Sequence, residues 1–378
     1  MTGRRIVVFA PRMDAFGGVE RLLIDLSRFL NAERLPHTIL CLNRSIDLAA
    51  RADWPMEVMA LDPPRNPLSE ANALMRYFDD PQNRDIQAPL FFDLKGAFYA
   101  GLRRYPPFHL HLTDPPSLLP ADISKHAPSL KGGAGPVTAL RAEIVHQINR
   151  CGVRRALSLI AMTEAIAGEL ETLYGRRAQI VRPGVRPPYA EPPSLPERPS
   201  AITFLSVSRL EKSKRINWIL EALAELEQAP EPLSRRIDWT LDIVGEGSQA
   251  APLRDLSRAL ALGARVRFHG ALTDERLEAQ YAKPCVFLMP AVQGYGLPAL
   301  EALSRGRPVI LHRQSGVSEI LDQPPWVETI EEGHQDLARA IERMSGHLLE
   351  GRLTGSERPP GVTADDWARN ITRACDWH

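Results

Sequence analysis

The chain has 378 residues, enough for two domains of ordinary size, and at 44% hydrophobic and 24% charged it has the composition of a globular protein rather than a disordered one. Lysine and arginine together number 46, equal to aspartate and glutamate, so the charge balance gives no reason to expect a nucleic-acid partner. The four cysteines, Cys41, Cys151, Cys285 and Cys375, have neither CxxC nor zinc-ligand spacing, which argues against a disulfide scaffold and fits a reduced, cytoplasmic protein.

No stretch reaches the roughly 18 apolar residues that a membrane span needs, so any membrane contact is expected to be peripheral. The apolar run after Met1–Arg5 is too brief for a signal peptide. That run, Ile6-Val7-Val8-Phe9-Ala10, reads as a strand buried on both faces of a parallel sheet. A loop with Gly17-Gly18 follows, then a helix with Leu22, Leu23, Leu26, Phe29 and Leu30 on one face. Thr38–Leu42 and Met56–Leu61 are the next predicted strands. Strand–helix pairs continue to Leu157–Met162 and a helix over 164–173. The segment Ser124–Pro136, with Lys131-Gly132-Gly133-Ala134-Gly135, is expected to be a loop but not a phosphate loop, because no apolar strand leads into it.

Between Arg186 and Ser200 a proline falls every few residues, which sustains neither helix nor strand and marks an extended linker. The alternation then restarts with strands at Thr203–Val207, Thr240–Val244, Val266–Phe268, Val286–Met289 and Val309–Leu311. An amphipathic helix lies between the first two. A last helix carries Trp367, Ile371 and Ala374 on one face. The expected organisation is therefore a Rossmann-like first domain (1–185), a linker (186–200), a second such domain (201–362) and a closing helix (363–378) that could return to the first. The fold class is α/β: two doubly wound parallel-sheet domains facing a cleft, with ligands at the carboxyl ends of the strands.

Four segments of the second domain lie at such ends. Ser206–Leu210 carries Arg209, with Lys214 five residues on. Val244-Gly245-Glu246-Gly247 is a glycine turn. Phe268-His269-Gly270 ends a third strand. Gln293-Gly294-Tyr295-Gly296-Leu297-Pro298-Ala299-Leu300-Glu301 ends a fourth, with Pro298 placed to open a helix as its first residue. Gly296 and Leu297 would deliver a helix N-terminus to an anion, and Glu301 a carboxylate to sugar hydroxyls. Each has a plainer account: Glu301 and Glu319 as helix-start charges, Gly245 and Gly247 as a strand–helix turn, His269 as a satisfied turn residue. Arg209 and Lys214 could be solvated charges, but cations at a helix N-terminus oppose its dipole, which favours a bound anion. The second domain lacks GxGxxG, which weighs against a dinucleotide oxidoreductase. His109 and His111 share a strand face, but no third ligand suggests a metal site.

The order and spacing of these segments resemble the retaining GT-B glycosyltransferases of the family 4 (group 1) type, over nearly the whole chain and most specifically over 201–321. The resemblance implies that Arg209 and Lys214 clamp the donor diphosphate, with Ser208 and Arg215 standing where the family has glycines. It implies that Glu301, the second glutamate of a Glu-x7-Glu motif, binds the donor ribose, and that Gln293 occupies the position of the first glutamate at the catalytic centre. Ser315-Gly316-Val317-Ser318-Glu319 resembles the family's Gly-Gly-x-x-Glu element, and Gly17-Gly18 its phosphate-closing glycine pair. Gly245, His269 and Gly270 are expected at the nucleoside. A catalytic-site histidine usually ends a central strand of the first domain. Aligned through Asp114, that position holds Thr113, and His111 is the nearest histidine, taken as the candidate catalytic residue.

The implied protein is a glycosyltransferase without metal or other cofactor. It uses a nucleotide sugar donor and a glycan or glycolipid acceptor, and works in the cytoplasm with peripheral membrane contact left open. The departures at Gln293 and Thr113 leave room for a weakened, sugar-nucleotide-binding or scaffold relative, and an NAD-dependent oxidoreductase is the remaining alternative.

Overall fold

A computed structural model of the chain describes residues 4–14, 16–119, 124, 135–188, 194–283, 285–354, 356–359 and 361–377. Most of the predicted 124–136 loop and the centre of the predicted linker lie outside the described residues. The chain divides into two compact units, Met1–Gly184 with Val362–His378, and Val185–Gly361.

In the first unit, the strands of the main sheet are Ile6–Phe9 (β1), His37–Cys41 (β2), Val58–Ala60 (β3), Leu90–Phe92 (β4), His109–Leu112 (β5), Leu159–Ala161 (β6) and Gln179–Ile180 (β7), beside a small separate pairing of Arg12–Met13 with Asn43–Arg44. The main sheet is parallel, in the order β3-β2-β1-β4-β5-β6-β7. β1, β4 and β5 are buried along their whole length, as unbroken apolar or nearly apolar runs require when helices cover both faces. The order reverses between β1 and β4, so the loops leaving those two strands turn to opposite faces and leave a crevice at their carboxyl ends.

The helix Ala364–Ala374 belongs to this unit. Thr363 caps it by accepting a hydrogen bond from the Asp366 N–H at 3.1 Å. Trp367, Ala368 and Ile371 are buried, and the helix packs on Gly18–Ala32, where the Arg369 guanidinium lies 5.8 Å from the Phe29 ring and Arg28 pairs with Asp365. The Trp377 indole N–H donates to the Ala88 carbonyl at 3.0 Å.

In the second unit, Ala201–Val207 (β8), Asp238–Val244 (β9), Val266–Gly270 (β10), Cys285–Met289 (β11), Val309–His312 (β12) and Val327–Ile330 (β13) form a parallel sheet in the order β10-β9-β8-β11-β12-β13. Its reversal falls between β8 and β11, which pair through Thr203↔Cys285, Phe204↔Val286 and Leu205↔Phe287. β4, β7 and β13 were not singled out from the sequence. β4 and β7 are only three and two residues long, too short to show a pattern.

Candidate active site

The second unit's crevice is built by the two loops that leave β8 and β11. After β8 the chain passes exposed Arg209, makes a 3-10 turn at Lys212–Lys214 and enters the helix Ile216–Gln228. Arg215 is that helix's N-cap and has φ 54°, the left-handed region that suits glycine. It is held there by its guanidinium, 4.3 Å from the Trp218 ring and 3.4 Å from the Glu332 carboxylate. The family's glycine after the lysine thus falls at a position whose backbone calls for glycine, while this chain fills it with a braced arginine.

The glycine turn after β9 sets the path of the Arg209 loop. Ser208 N–H donates to the Val244 carbonyl at 3.1 Å, Leu210 N–H to Glu246 at 2.7 Å, and Gln249 N–H to Leu210 at 2.8 Å. A Cβ on Gly245 would stand 1.9 Å from the Ser208 carbonyl oxygen, and Gly245 has φ 132°. Gly245 is therefore required by the approach of two backbones. Glu211, held below the usual carboxylate range by the Ser248 hydroxyl and N–H, fastens the same loop.

After β11, Gln293-Gly294-Tyr295-Gly296 runs into the helix Leu297–Ser304. Gly296 is the N-cap at φ 120°, and Pro298 is the second helical residue rather than the first, Leu297 taking that place. A second loop fixes this one: Gln293 N–H donates to Ser315 Oγ at 3.3 Å, Gly316 N–H to the Gln293 carbonyl at 3.2 Å, and Val317 N–H to the Tyr295 carbonyl at 2.9 Å. The two sides of the crevice meet where Lys214 Nζ donates to Gln293 Oε1 at 2.6 Å.

Glu301 lies on the same short helix and is buried, with the Tyr281 hydroxyl donating to its carboxylate at 3.4 Å. Tyr281 and Ser315 carry supporting positions that sequence reasoning missed, because neither stands in the motif they brace. Glu319 is exposed in the four-residue helix Ser318–Leu321.

His269 lies in β10 with Nε2 2.8 Å from a carboxylate oxygen of buried Asp242, which also faces Arg267 at 3.9 Å and Lys283 at 3.5 Å. One nitrogen of the ring is thus committed to the sheet. Gly270 has φ 69° and its carbonyl accepts from Gly245 N–H at 2.8 Å, tying the third segment to the first.

In the first unit, Gly17 is the N-cap and Gly18 the first residue of the helix Gly18–Ala32, which follows β1 at the reversal point. His111, the candidate catalytic histidine, is fully buried in β5, with its ring centroid 4.8 Å from Phe92 and 6.2 Å from Trp367. Burial pushes its pKa down to about 3, and among the described residues neither ring nitrogen has a hydrogen-bond partner. A strand buried on both faces turns alternate residues inward whichever face they take, and here the inward place went to an imidazole. Thr113, in the position where the family has its histidine, donates instead to Asp93, the residue that follows β4.

Both units have the GT-B arrangement of doubly wound parallel sheets. The chain is similar over 98% of its length to the solved structure of Anabaena HepE in complex with UDP and glucose (TM-score 0.68, 16% identity, 99% of that chain), and over 99% to WaaG, described as a glycosyltransferase involved in lipopolysaccharide biosynthesis (TM-score 0.67, 18% identity, 95% of that chain). The GT-B fold is thereby shown.

Residues 190–345, within the second unit, match the sequence family "Glycosyl transferases group 1". A curated relative, D-inositol 3-phosphate glycosyltransferase 2 of Catenulispora acidiphila, is 35% identical over 174 residues, 42% of this chain and 41% of its own. Glycogen synthase of Mycobacterium tuberculosis is 28% identical over 201 residues, 51% of this chain and 46% of its own. The chain spans less than half the length of the curated relatives it matches.

Proposed function

We propose that the chain transfers a sugar, with retention of anomeric configuration, from a nucleoside diphosphate sugar to a hydroxyl of a glycan or lipid-linked glycan. The single observation that carries this reading is the convergence at the β8/β11 reversal. Two cations, Arg209 and Lys214, two helix starts at Ile216 and Leu297, and the buried Glu301 carboxylate all belong to the two loops that leave those strands. As the anomeric carbon–oxygen bond breaks, negative charge builds on the departing diphosphate. Fixed cations and helix dipoles stabilise that charge without having to reorganise. In this reading Arg209, Lys214, Gly296 and Leu297 hold the diphosphate, and Glu301, Gly245, Gly270 and His269 the nucleoside. Gln293 lies beside the reacting sugar. The first unit is read as the acceptor-side domain, and its Gly17-Gly18 helix start as a phosphate-binding element.

The binding of UDP by a solved protein of this fold supports the donor class, and the lipopolysaccharide role of WaaG the acceptor class. The reading places the protein in the cytoplasm. Among the described residues no helix is long and apolar enough to cross a membrane. Val137, Leu140 and Ile144 are exposed on the helix Pro136–Arg155 beside Arg141, which supports peripheral membrane contact.

The test is direct. Arg209→Ala and Lys214→Ala should each weaken nucleoside diphosphate binding about tenfold or more, as loss of a charge-assisted contact does, with thermal stability retained. Turnover of the preferred nucleotide sugar should persist in EDTA. Donor binding without any turnover would instead identify a binding subunit.

A further inference from the structure

We propose that Gln293 is a positioning residue: its neutral amide oxygen holds the Lys214 ammonium across the β8/β11 crevice without adding a negative charge beside the diphosphate that Lys214 meets. This rests on the reading above that Lys214 contacts the donor.

Three observations combine. The contact itself is short, Lys214 Nζ to Gln293 Oε1 at 2.6 Å, and joins residues 79 apart in sequence on opposite sides of the reversal point. The Gln293 backbone is fixed on both sides, its N–H to Ser315 Oγ and its carbonyl from Gly316 N–H, while buried Ser315 is itself held by its hydroxyl donating to the Ala291 carbonyl at 3.1 Å. Lys214 is placed by a tight turn, its N–H donating to the Glu211 carbonyl at 2.9 Å, with Arg215 in the left-handed conformation directly after it. A flexible lysine is thus oriented by a rigid acceptor.

The choice of acceptor decides the electrostatics. An amide oxygen orients an ammonium through a dipole and leaves the net charge of the pair at +1. A carboxylate of the same length would orient it equally well, bring the pair to zero and stand beside the incoming diphosphate with like charge. Glutamine at 293 is then a gain in diphosphate recognition, whatever it costs at the reacting sugar.

The experiment uses the full chain and calorimetry with UDP, GDP and ADP, taking the tightest binder together with its bare nucleoside. Gln293→Glu should weaken the diphosphate about tenfold and the nucleoside less than about twofold, since only the diphosphate carries charge to the altered pair. Gln293→Met, of similar length but without the acceptor, should weaken the diphosphate about threefold. In a Lys214→Met background the Gln293→Met change should have no further effect, the coupling expected of residues that act through one contact.

Equal losses for diphosphate and nucleoside, diphosphate affinity unchanged in Gln293→Glu, or additive losses in the double variant would overturn the proposal. Unchanged diphosphate binding in Lys214→Met, or no binding of any of the three nucleotides to the native chain, would instead overturn the donor-site reading beneath it. Thermal melting of each variant separates misfolding from either result.

Discussion

Thr113, just past the end of β5, hydrogen-bonds through its hydroxyl to Asp93, the residue just past the end of the neighbouring strand β4. Asp93 has φ 62° and opens the helix Asp93–Leu102. Burial pushes its pKa up to about 7, the Asp114 charge adds to the rise, and the Thr113 hydrogen bond opposes it. Where the resembled family has an imidazole, this unit therefore offers a carboxyl that titrates in the same range, through a threonine.

That carboxyl gives stability a pH dependence of known sign. Below about pH 4 Asp93 is protonated in both folded and unfolded chains. As pH rises toward 7 the unfolded chain ionises first, so the folded state binds the extra proton and loses stability across that window. Asn tolerates the left-handed backbone and can accept from Thr113 without ionising. Asp93→Asn should therefore match the native chain near pH 4 and exceed it by about 1–3 kcal/mol near pH 8. Urea unfolding at the two pH values measures this, and a gain of the same size at both would show that ionisation is not its source.

His111 has the opposite slope. Its folded pKa lies below its unfolded one, so the stability it leaves intact above about pH 6.5 is lost as pH falls toward 3. His111→Leu fills similar space between Phe92 and Trp367 and removes two buried nitrogens without partners. It should shift the acid midpoint of unfolding to lower pH and leave turnover within about twofold. A hundredfold fall in kcat with a native-like melt would return His111 to the catalytic centre.

Arg215 tests how a departure from the family is accommodated. Arg215→Gly removes backbone strain of about 1–2 kcal/mol but loses the Trp218 and Glu332 contacts, about 0.5–1 kcal/mol each at a partly exposed site. It should melt within a few degrees of the native chain. Arg215→Ala keeps the strain, loses both contacts and should be the less stable by about 1 kcal/mol. The reverse order of the two melting temperatures would mean that φ 54° is not the conformation in solution.

Glu301→Ala is expected to weaken ribonucleoside diphosphates about tenfold while leaving the 2′-deoxy analogue little changed, because a buried carboxylate held by Tyr281 loses a hydroxyl partner only where a hydroxyl exists. Calorimetry with the two nucleotides decides it, and parallel losses would point to a helix-start role.

Much of this was legible in the sequence. Continuous apolar runs at Ile6–Ala10, Thr203–Val207 and Val286–Met289 could only be strands covered on both faces, and their alternation with helices forced parallel sheets. The loops leaving β8 and β11 were legible because Arg209, Lys214, Gly296 and Glu301 each carry a distinctive residue type at a fixed offset from a strand end. The Asp93–Thr113 pair of the first unit was not. Asp93 follows a strand of three residues, its left-handed backbone leaves no mark in a sequence, and its partner Thr113 is chemically ordinary. The burial of His111 was hidden for a related reason: alternation along a strand says that two histidines share a face, not whether that face is wet. The Lys214–Gln293 contact joins two loops far apart in sequence, and local pattern carries no information about such a pair.

The return of the Ala364–Ala374 helix to the first unit has a consequence for how the protein is made. Gly184, the last residue of the first unit's leading segment, lies so close to Thr363 that a Cβ would stand 2.1 Å from the Thr363 carbonyl oxygen, so the outgoing and returning strands of the chain are seated together. Synthesis from the amino end delivers residues 1–184 with the surface that Trp367 and Ile371 will cover still open, and the intervening unit emerges whole before that surface is closed. The later-made unit can therefore finish folding first, while the earlier one waits on the ribosome for its last helix.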